Sequence, residues 1–286
     1  MSSSKYSPKL KTDLHVHTRA SDGAYTPREV VKMARERSIT IMAIADHDTT
    51  SGLAEAKEVA QELGVELIPG IELSTIAGDN EIHILGYHID PHNTQLQKNL
   101  QTLSEARDTR AQLIVAKLNE LGYAVTMAEV KAKAGSEIIG RPHIALAMID
   151  HELIKNIDEG FARFLSPGGL AYVPRFRVTP QEAIRLIKNA GGLAVLAHPG
   201  LNFPARLLPE LIAVGLAGIE VNHPDNSLQI RDYYQRRAHE AGLFITGGSD
   251  FHGHDEDDFH YFGQMITPPE TFAIFQEIQV TRKNPH

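Results

Sequence analysis

The sequence predicts an α/β fold built on mostly parallel strands, and three observations carry that expectation. Short apolar runs alternate with helical patterns at both ends of the chain, with short connections between them. Helix starts are sharply marked between those runs. Several histidines and carboxylates fall at or near the ends of the apolar runs, the face on which parallel α/β barrels assemble active sites.

The first strand lies in "DLHVHTRASDG" (13–23), where two histidines are followed by an Asp-Gly turn. Further strands are expected at "ITIMAIA" (39–45), "VELIPGIEL" (65–73), "EIHILGYHI" (81–89), "LAVLA" (193–197), "AGIEV" (217–221) and "LFITG" (243–247). "TPRE" (26–29), "TMAE" (126–129) and "TPQE" (179–182) each place a Thr N-cap three residues before a Glu. The first and third add Pro at the first helical position. From about Thr94 to Phe164 the pattern is helical, with an amphipathic run 94–121, a shorter one 126–134, then "RPHIALAMIDHELI" and "EGFARFL". This reads as a helical insertion that rejoins the α/β portion through the turn-rich "SPGGLAYVP" (166–174).

A chain of 286 residues, 42% of them hydrophobic, is long enough for one large α/β barrel or two medium domains. No apolar run approaches the length of a membrane span, and "MSSSKYSPKLK" lacks an apolar leader core, so a soluble, cytoplasmic protein is expected. The sequence contains no cysteine, which excludes disulfides and thiolate metal sites and leaves nitrogen and oxygen ligands. A net charge of −8 argues against a diffuse nucleic-acid footprint and favours a short or terminal phosphorylated ligand over a duplex.

Residues i and i+2 of a strand share a face, so His15 and His17 can converge on one metal ion. "ADHD" (45–48), Glu72, His83, "AHPG" (197–200), "IEVNH" (219–223) and "GSDFHG" (248–253) add polar groups at or near strand ends. Imidazole and carboxylate donors suit Mn²⁺, Fe²⁺ or Zn²⁺, and about ten candidates exceed the need of one ion, so two or three ions are expected. Glu72, central in the sequence order, is the candidate bridge between them.

Taken in order, "DLHVHTRASDG", "ADHD", "PGIELS", "EIHILGY", "AHPG" and "GSDFHG" resemble the motifs of the PHP (polymerase and histidinol phosphatase) family. The resemblance implies a distorted (β/α)₇ barrel with a trinuclear metal centre, formed here by residues 8–95 and 172–286, with the insertion 96–171 capping the site. Carried over residue by residue, it implies one ion held by His15, His17, Glu72 and Asp250, a second by Glu72, His83 and His198, and a third by Asp22, His47 and His252. Asp250, His198 and His252 are the candidate catalytic residues. The chain is most similar to the branch of 3′,5′-nucleoside bisphosphate phosphatases and a 5′-to-3′ exoribonuclease.

The implied reaction is attack of a metal-bound hydroxide on a phosphate monoester of a nucleoside 3′,5′-bisphosphate, with trimming of RNA 5′ ends as a further activity. A histidinol-phosphate phosphatase and a non-catalytic metal-binding module are the alternatives. Arg107, Arg110, Arg141 and His143 are candidate phosphate-binding residues, and Arg175 and Arg177 further ones. Asp46 reads as a residue orienting an imidazole or as a helix cap, Glu220 and Asn222 as hydrogen-bonding residues, and His223, His254 and His260 as surface or rim residues.

Overall fold

Each expected apolar run becomes a strand. The computed structural model describes residues 10–134, 139–174, 176, 178–272 and 274. Among them seven strands form one sheet in chain order: β1 (Thr12–Val16), β2 (Ile41–Ile44), β3 (Glu66–Ala77), β4 (Asn80–Tyr87), β5 (Leu193–Leu196), β6 (Gly218–Asn222) and β7 (Phe244–Gly247). The sheet nearly closes into a barrel, because Val16 bridges Phe251 just beyond β7 and the His17 N–H donates to the Phe251 carbonyl at 2.9 Å. Buried Asp13 fastens this seam by accepting the N–H groups of Ser249 at 2.9 Å and Gly263 at 2.7 Å.

One strand departs from the parallel pattern. β4 runs antiparallel to both β3 and β5, forming a hairpin with β3, whereas the other strand pairs are parallel. His83 therefore reaches the functional face from the first half of its strand, and Glu72 from the middle of β3, not from a C-terminal strand end. Period-2 patterning places a residue on a face but says nothing of strand direction.

Ten α-helices accompany the strands among the described residues: α1 (Pro27–Glu36), α2 (Leu53–Leu63), α3 (Thr94–Glu120), α4 (Met127–Ala134), α5 (Arg141–Asp150), α6 (Ile157–Gly160), α7 (Pro180–Asn189), α8 (Leu207–Val214), α9 (Leu228–Glu240) and α10 (Glu256–Tyr261). α6 runs on as a wider π-helical turn, Phe161–Leu165. All three Thr-to-Glu boxes form, with Thr26, Thr126 and Thr179 each donating a backbone N–H at 2.8 Å to the Glu three residues on. Such caps each contribute about 1 kcal/mol.

The helices serve two cores. Residues of α1, α2, α7, α8 and α9 pack on the outside of the strands, and Leu96, Leu100 and Leu103 from the first half of α3 join them. The second half of α3 turns to a separate core, where Ile114 and Leu118 meet Ile144, Met148 and Phe164. One helix thus anchors the helical insertion to the barrel.

Candidate metal centre

Two β-bulges shape the site from below. Asp13 and Val16 of β1 face Met42 and Ile44 of β2 with an extra residue between them, and β6 bulges between Glu220 and Asn222. Bulges re-aim side chains beside functional sites. Here they turn His15 and Glu220 toward one another: His15 Nδ1 lies 3.0 and 3.1 Å from the two Glu220 oxygens.

Glu72, fully buried in mid-β3, is the hub. Its Oε2 lies 3.2 Å from both His15 Nε2 and His17 Nε2 and 3.0 Å from His47 Nδ1. Its Oε1 lies 2.8 Å from His83 Nδ1 and 3.1 Å from His198 Nε2. Asp250 Oδ1 sits 3.2 Å from His15 Nε2 and 2.9 Å from His17 Nε2, while Asp22 Oδ1 lies 3.4 Å from His252 Nε2. The sequence-derived sets are thereby brought together: His15, His17, Glu72 and Asp250 in one group, Asp22, His47 and His252 joined by His17 in another, and His83 and Glu72 joined by His47 in a third. His198 meets Glu72 from the other side of His83. The backbone is held in the left-handed region at His198 (φ 23°) and Asp250 (φ 55°), conformations that surrounding structure must enforce at a functional site.

These residues fit a cation. Donor atoms around one divalent ion at about 2.1 Å lie about 3 Å from each other, which is the spacing just described. Several inward atoms, His17 Nδ1, Asp22 Oδ1, His47 Nδ1, Glu72 Oε2, both His83 nitrogens and Asp250 Oδ1, are buried without a hydrogen-bond partner among the described residues. Buried polar atoms are normally satisfied, so a cluster of orphaned nitrogens and carboxylate oxygens crowded together indicates a positive ligand.

Protons take the cation's place electrostatically. Burial would raise the Glu72 carboxyl, but the imidazoles of His47, His83 and His15 hold it well below its ordinary range. Asp22 is depressed in the same way by His47 and His252, against the cost of burial. Conversely, burial would lower His83 and His252, yet Glu72 and Asp22 respectively push them up to about 10. Raised imidazoles stabilise the metal-free fold fully below their ordinary value of 6.5, and that contribution is lost as pH rises toward about 10. Metal must displace these protons, so Mn²⁺ affinity is expected to strengthen between about pH 6 and about pH 9, with protons released on binding. Calorimetry in buffers of different ionisation enthalpy measures that release, and proton-neutral binding would contradict it.

Around the cluster lie residues that hold it. Glu220 accepts His15 on one side and the His198 N–H at 3.0 Å on the other, so a single buried carboxylate orients two of the converging residues. Among the described residues Asp46 hydrogen-bonds neither an imidazole nor a helix start. It accepts the Thr18 N–H at 2.7 Å, the Thr18 hydroxyl at 2.8 Å and the Ser21 hydroxyl at 2.6 Å, and so fixes the loop that presents Asp22. His223 differs from its expected rim position: it is 2% exposed, with Nε2 3.5 Å from Asp250 Oδ2. His254 and His260 are exposed as expected, although His254 Nε2 lies 2.7 Å from the Asp22 carbonyl oxygen.

The arginine candidates separate. Arg107 and Arg110 both occupy the buried stripe of α3. Arg107 donates Nε at 2.8 Å and Nη2 at 2.5 Å to Asp48, and Nη2 at 3.1 Å to the Ser74 hydroxyl, while one edge still faces the cavity. Arg110 donates to the Val173 carbonyl at 2.8 Å and lies over the Tyr172 ring, away from that cavity's lining. Arg141 lines the cavity, pairs with Glu81 at 2.8 Å and covers the Phe161 ring. His143 is buried and accepts the Gly140 N–H at 3.0 Å, bracing the start of α5. Arg175 and Arg177 lie outside the described residues.

The Arg107–Asp48 pair straps the insertion to the barrel beside His47, since Asp48 also accepts the Ser74 N–H at 2.9 Å and its own N–H reaches the Glu72 carbonyl at 2.9 Å. Asp48→Ala should cost about 3–5 kcal/mol, because it leaves a buried guanidinium uncompensated. Denaturant unfolding reads this, and a loss below about 1 kcal/mol would show that the pair is screened as a surface bridge is.

A cavity of about 590 Å³ opens over the cluster. Asp22, His47, His83, His198 and His252 reach into it, and Asn80 and Glu81 of the hairpin, Arg141 and Phe161 of the insertion and the 199–204 loop wall it. A nearly closed α/β barrel with imidazoles and carboxylates crowded under such a cavity defines a metal-dependent hydrolase.

The profile of the PHP domain matches residues 13–189, and the chain belongs to that family. It is 35% identical over 273 residues, 93% of this chain and 96% of the relative, to the 3′,5′-nucleoside bisphosphate phosphatase of Chromobacterium violaceum. It is 35% identical over 247 residues, 84% of each chain, to the 5′-3′ exoribonuclease Rnm of Escherichia coli. Among solved structures, an amidohydrolase from Chromobacterium violaceum with bound sulfate superposes with a TM-score of 0.85 at 34% identity, over 95% of this chain and 96% of that one. A protein of Bifidobacterium adolescentis assigned as a metal-dependent phosphoesterase superposes at 0.81 with 32% identity, over 92% of this chain and 99% of that one. The chain is a divalent-metal-dependent phosphoesterase, a hydrolase acting on phosphoric esters. No helix among the described residues is long and apolar enough to cross a membrane.

Proposed function

We propose that the enzyme removes a phosphate monoester from nucleoside 3′,5′-bisphosphates. The observation that carries this reading is the cavity of about 590 Å³, a size that suits one nucleotide, lined by the imidazoles of the cluster together with Arg141 and Phe161. The relative from Chromobacterium violaceum supports the same substrate class. The donor set suits two or three divalent ions, manganese first with iron or zinc as alternatives. Divalent ions bound there supply charge neutralisation to the phosphoryl group and acidify a water molecule.

The protein's own residues divide the remaining work. His15, His17 and Glu72 are fully buried and form a fixed floor, while the side chains of Asp250, His198 and His252 are 21–27% exposed, the two histidines lining the cavity, and these three meet the reacting phosphate. Arg141 exchanges Glu81 for the phosphate that is not cleaved, with Arg107 contributing its cavity-facing edge and Arg110 and His143 supporting the segments that carry them. The helical insertion, residues 96–171, caps the barrel of residues 8–95 and 172–286 and limits the ligand to a nucleotide or a strand end. A second reading, an additional cleavage at the 5′ end of RNA, draws support from the exoribonuclease relative.

A phosphate-release panel with added Mn²⁺ tests the proposal on 3′,5′-bisphosphates, histidinol phosphate and short 5′-phosphorylated RNA. The bisphosphates are expected to give the highest kcat/KM. Preference for histidinol phosphate, or turnover that survives chelation, would overturn it.

A further inference from the structure

Beneath the cluster, His15, Glu220 and His223 form a compact buried group of imidazoles and a carboxylate that resembles a further metal site. Its proton inventory argues otherwise. The Asp225 N–H donates to His223 Nδ1 at 3.1 Å, so that nitrogen carries a lone pair and, in the neutral ring, the proton sits on Nε2. His15 Nδ1 faces both Glu220 oxygens at 3.0 and 3.1 Å, which places its proton there and leaves the Nε2 lone pair for the Glu72 side. Neither nitrogen on the shared face of this trio has electrons to offer a cation.

His223 Nε2–H is then a buried donor that no described residue satisfies at hydrogen-bond geometry, and Asp250 Oδ2 lies 3.5 Å from it. Asp250 has divided its oxygens: Oδ1 faces His15 and His17, and Oδ2 faces His223. We propose that His223 is a positioning residue, donating its Nε2–H to Asp250 Oδ2 so that Oδ1 is aimed at the cation shared with His15, His17 and Glu72. The inference rests on reading those four residues as metal ligands. Asp250 sits at φ 55° on a turn between β7 and α10, where the backbone alone leaves the carboxylate free to rotate, so an external donor has a task to perform. Partners of this kind are worth about 10–100-fold in metal affinity.

Two substitutions divide the ring's functions. His223→Gln places an amide N–H where Nε2 stands and loses the acceptor for Asp225, whereas His223→Asn keeps an acceptor near Nδ1 and has no atom that reaches Asp250. Mn²⁺ affinity, measured by isothermal titration on the full chain, is expected to fall about 10–100-fold in His223→Asn and to stay within about threefold of the parent in His223→Gln. A role confined to holding the His223–Asp225 turn gives the reverse order, and a role on the substrate leaves both affinities intact while kcat falls. Either of these results, or equal losses in both variants, overturns the proposal. A parent protein that binds no Mn²⁺ would instead remove the metal reading on which it rests.

Discussion

Glu72→Gln is expected to lower turnover at least ~10³-fold, equivalent to about 4 kcal/mol of lost transition-state stabilisation. Five imidazoles, from His15, His17, His47, His83 and His198, lie within 3.2 Å of its two oxygens, so this carboxylate touches every part of the cluster. Glutamine keeps the shape, but it offers one neutral oxygen and turns an amide N–H₂ toward nitrogens that need a negative partner. Metal content should fall with activity, which elemental analysis of the purified variant reads alongside kcat. Retention of both would mean that Glu72 is not the hub its contacts describe.

Gly248→Ala should disturb both the fold and the metal centre, for a steric reason. A Cβ at position 248 would lie 2.2 Å from His15 Cβ and 2.5 Å from the His15 backbone nitrogen, neither of which can yield without moving β1. Overpacking of this kind costs about 1–3 kcal/mol. Because the displaced residue is His15, metal affinity is expected to weaken at least ~10-fold as well. Thermal unfolding and Mn²⁺ titration check the two effects separately, and an affinity equal to the parent's would show that His15 is positioned without this close approach of β7 to β1.

The strands were legible because they are short, nearly continuous apolar runs buried along most of their length, and the helix starts because Thr and Glu three apart satisfy each other locally. His15 and His17 announced their convergence through spacing alone, and their Nε2 atoms stand 3.1 Å apart. His223 gave the same kind of signal, a polar residue one position past the end of β6, and was read as rim because a single imidazole there has no pattern to support it. Arg107 and Arg110, three apart on one helix face, read as candidate phosphate-binding residues. Both fill apolar-stripe positions, since Asp48 lies 59 residues from Arg107 and the Val173 carbonyl 63 from Arg110.

By itself the sequence determined which atoms are available: imidazoles and carboxylates with no thiolate, which restricts any metal to nitrogen and oxygen ligands. Tertiary structure decided which of those atoms are already spoken for. Reversal of β4 brought His83 to the site, Asp48 claimed Arg107, the Asp225 N–H met His223 Nδ1, and Glu220 took His15 Nδ1. A hydrogen bond depends on direction and on a partner within about 3 Å, and one-dimensional spacing carries neither across a chain folded back on itself.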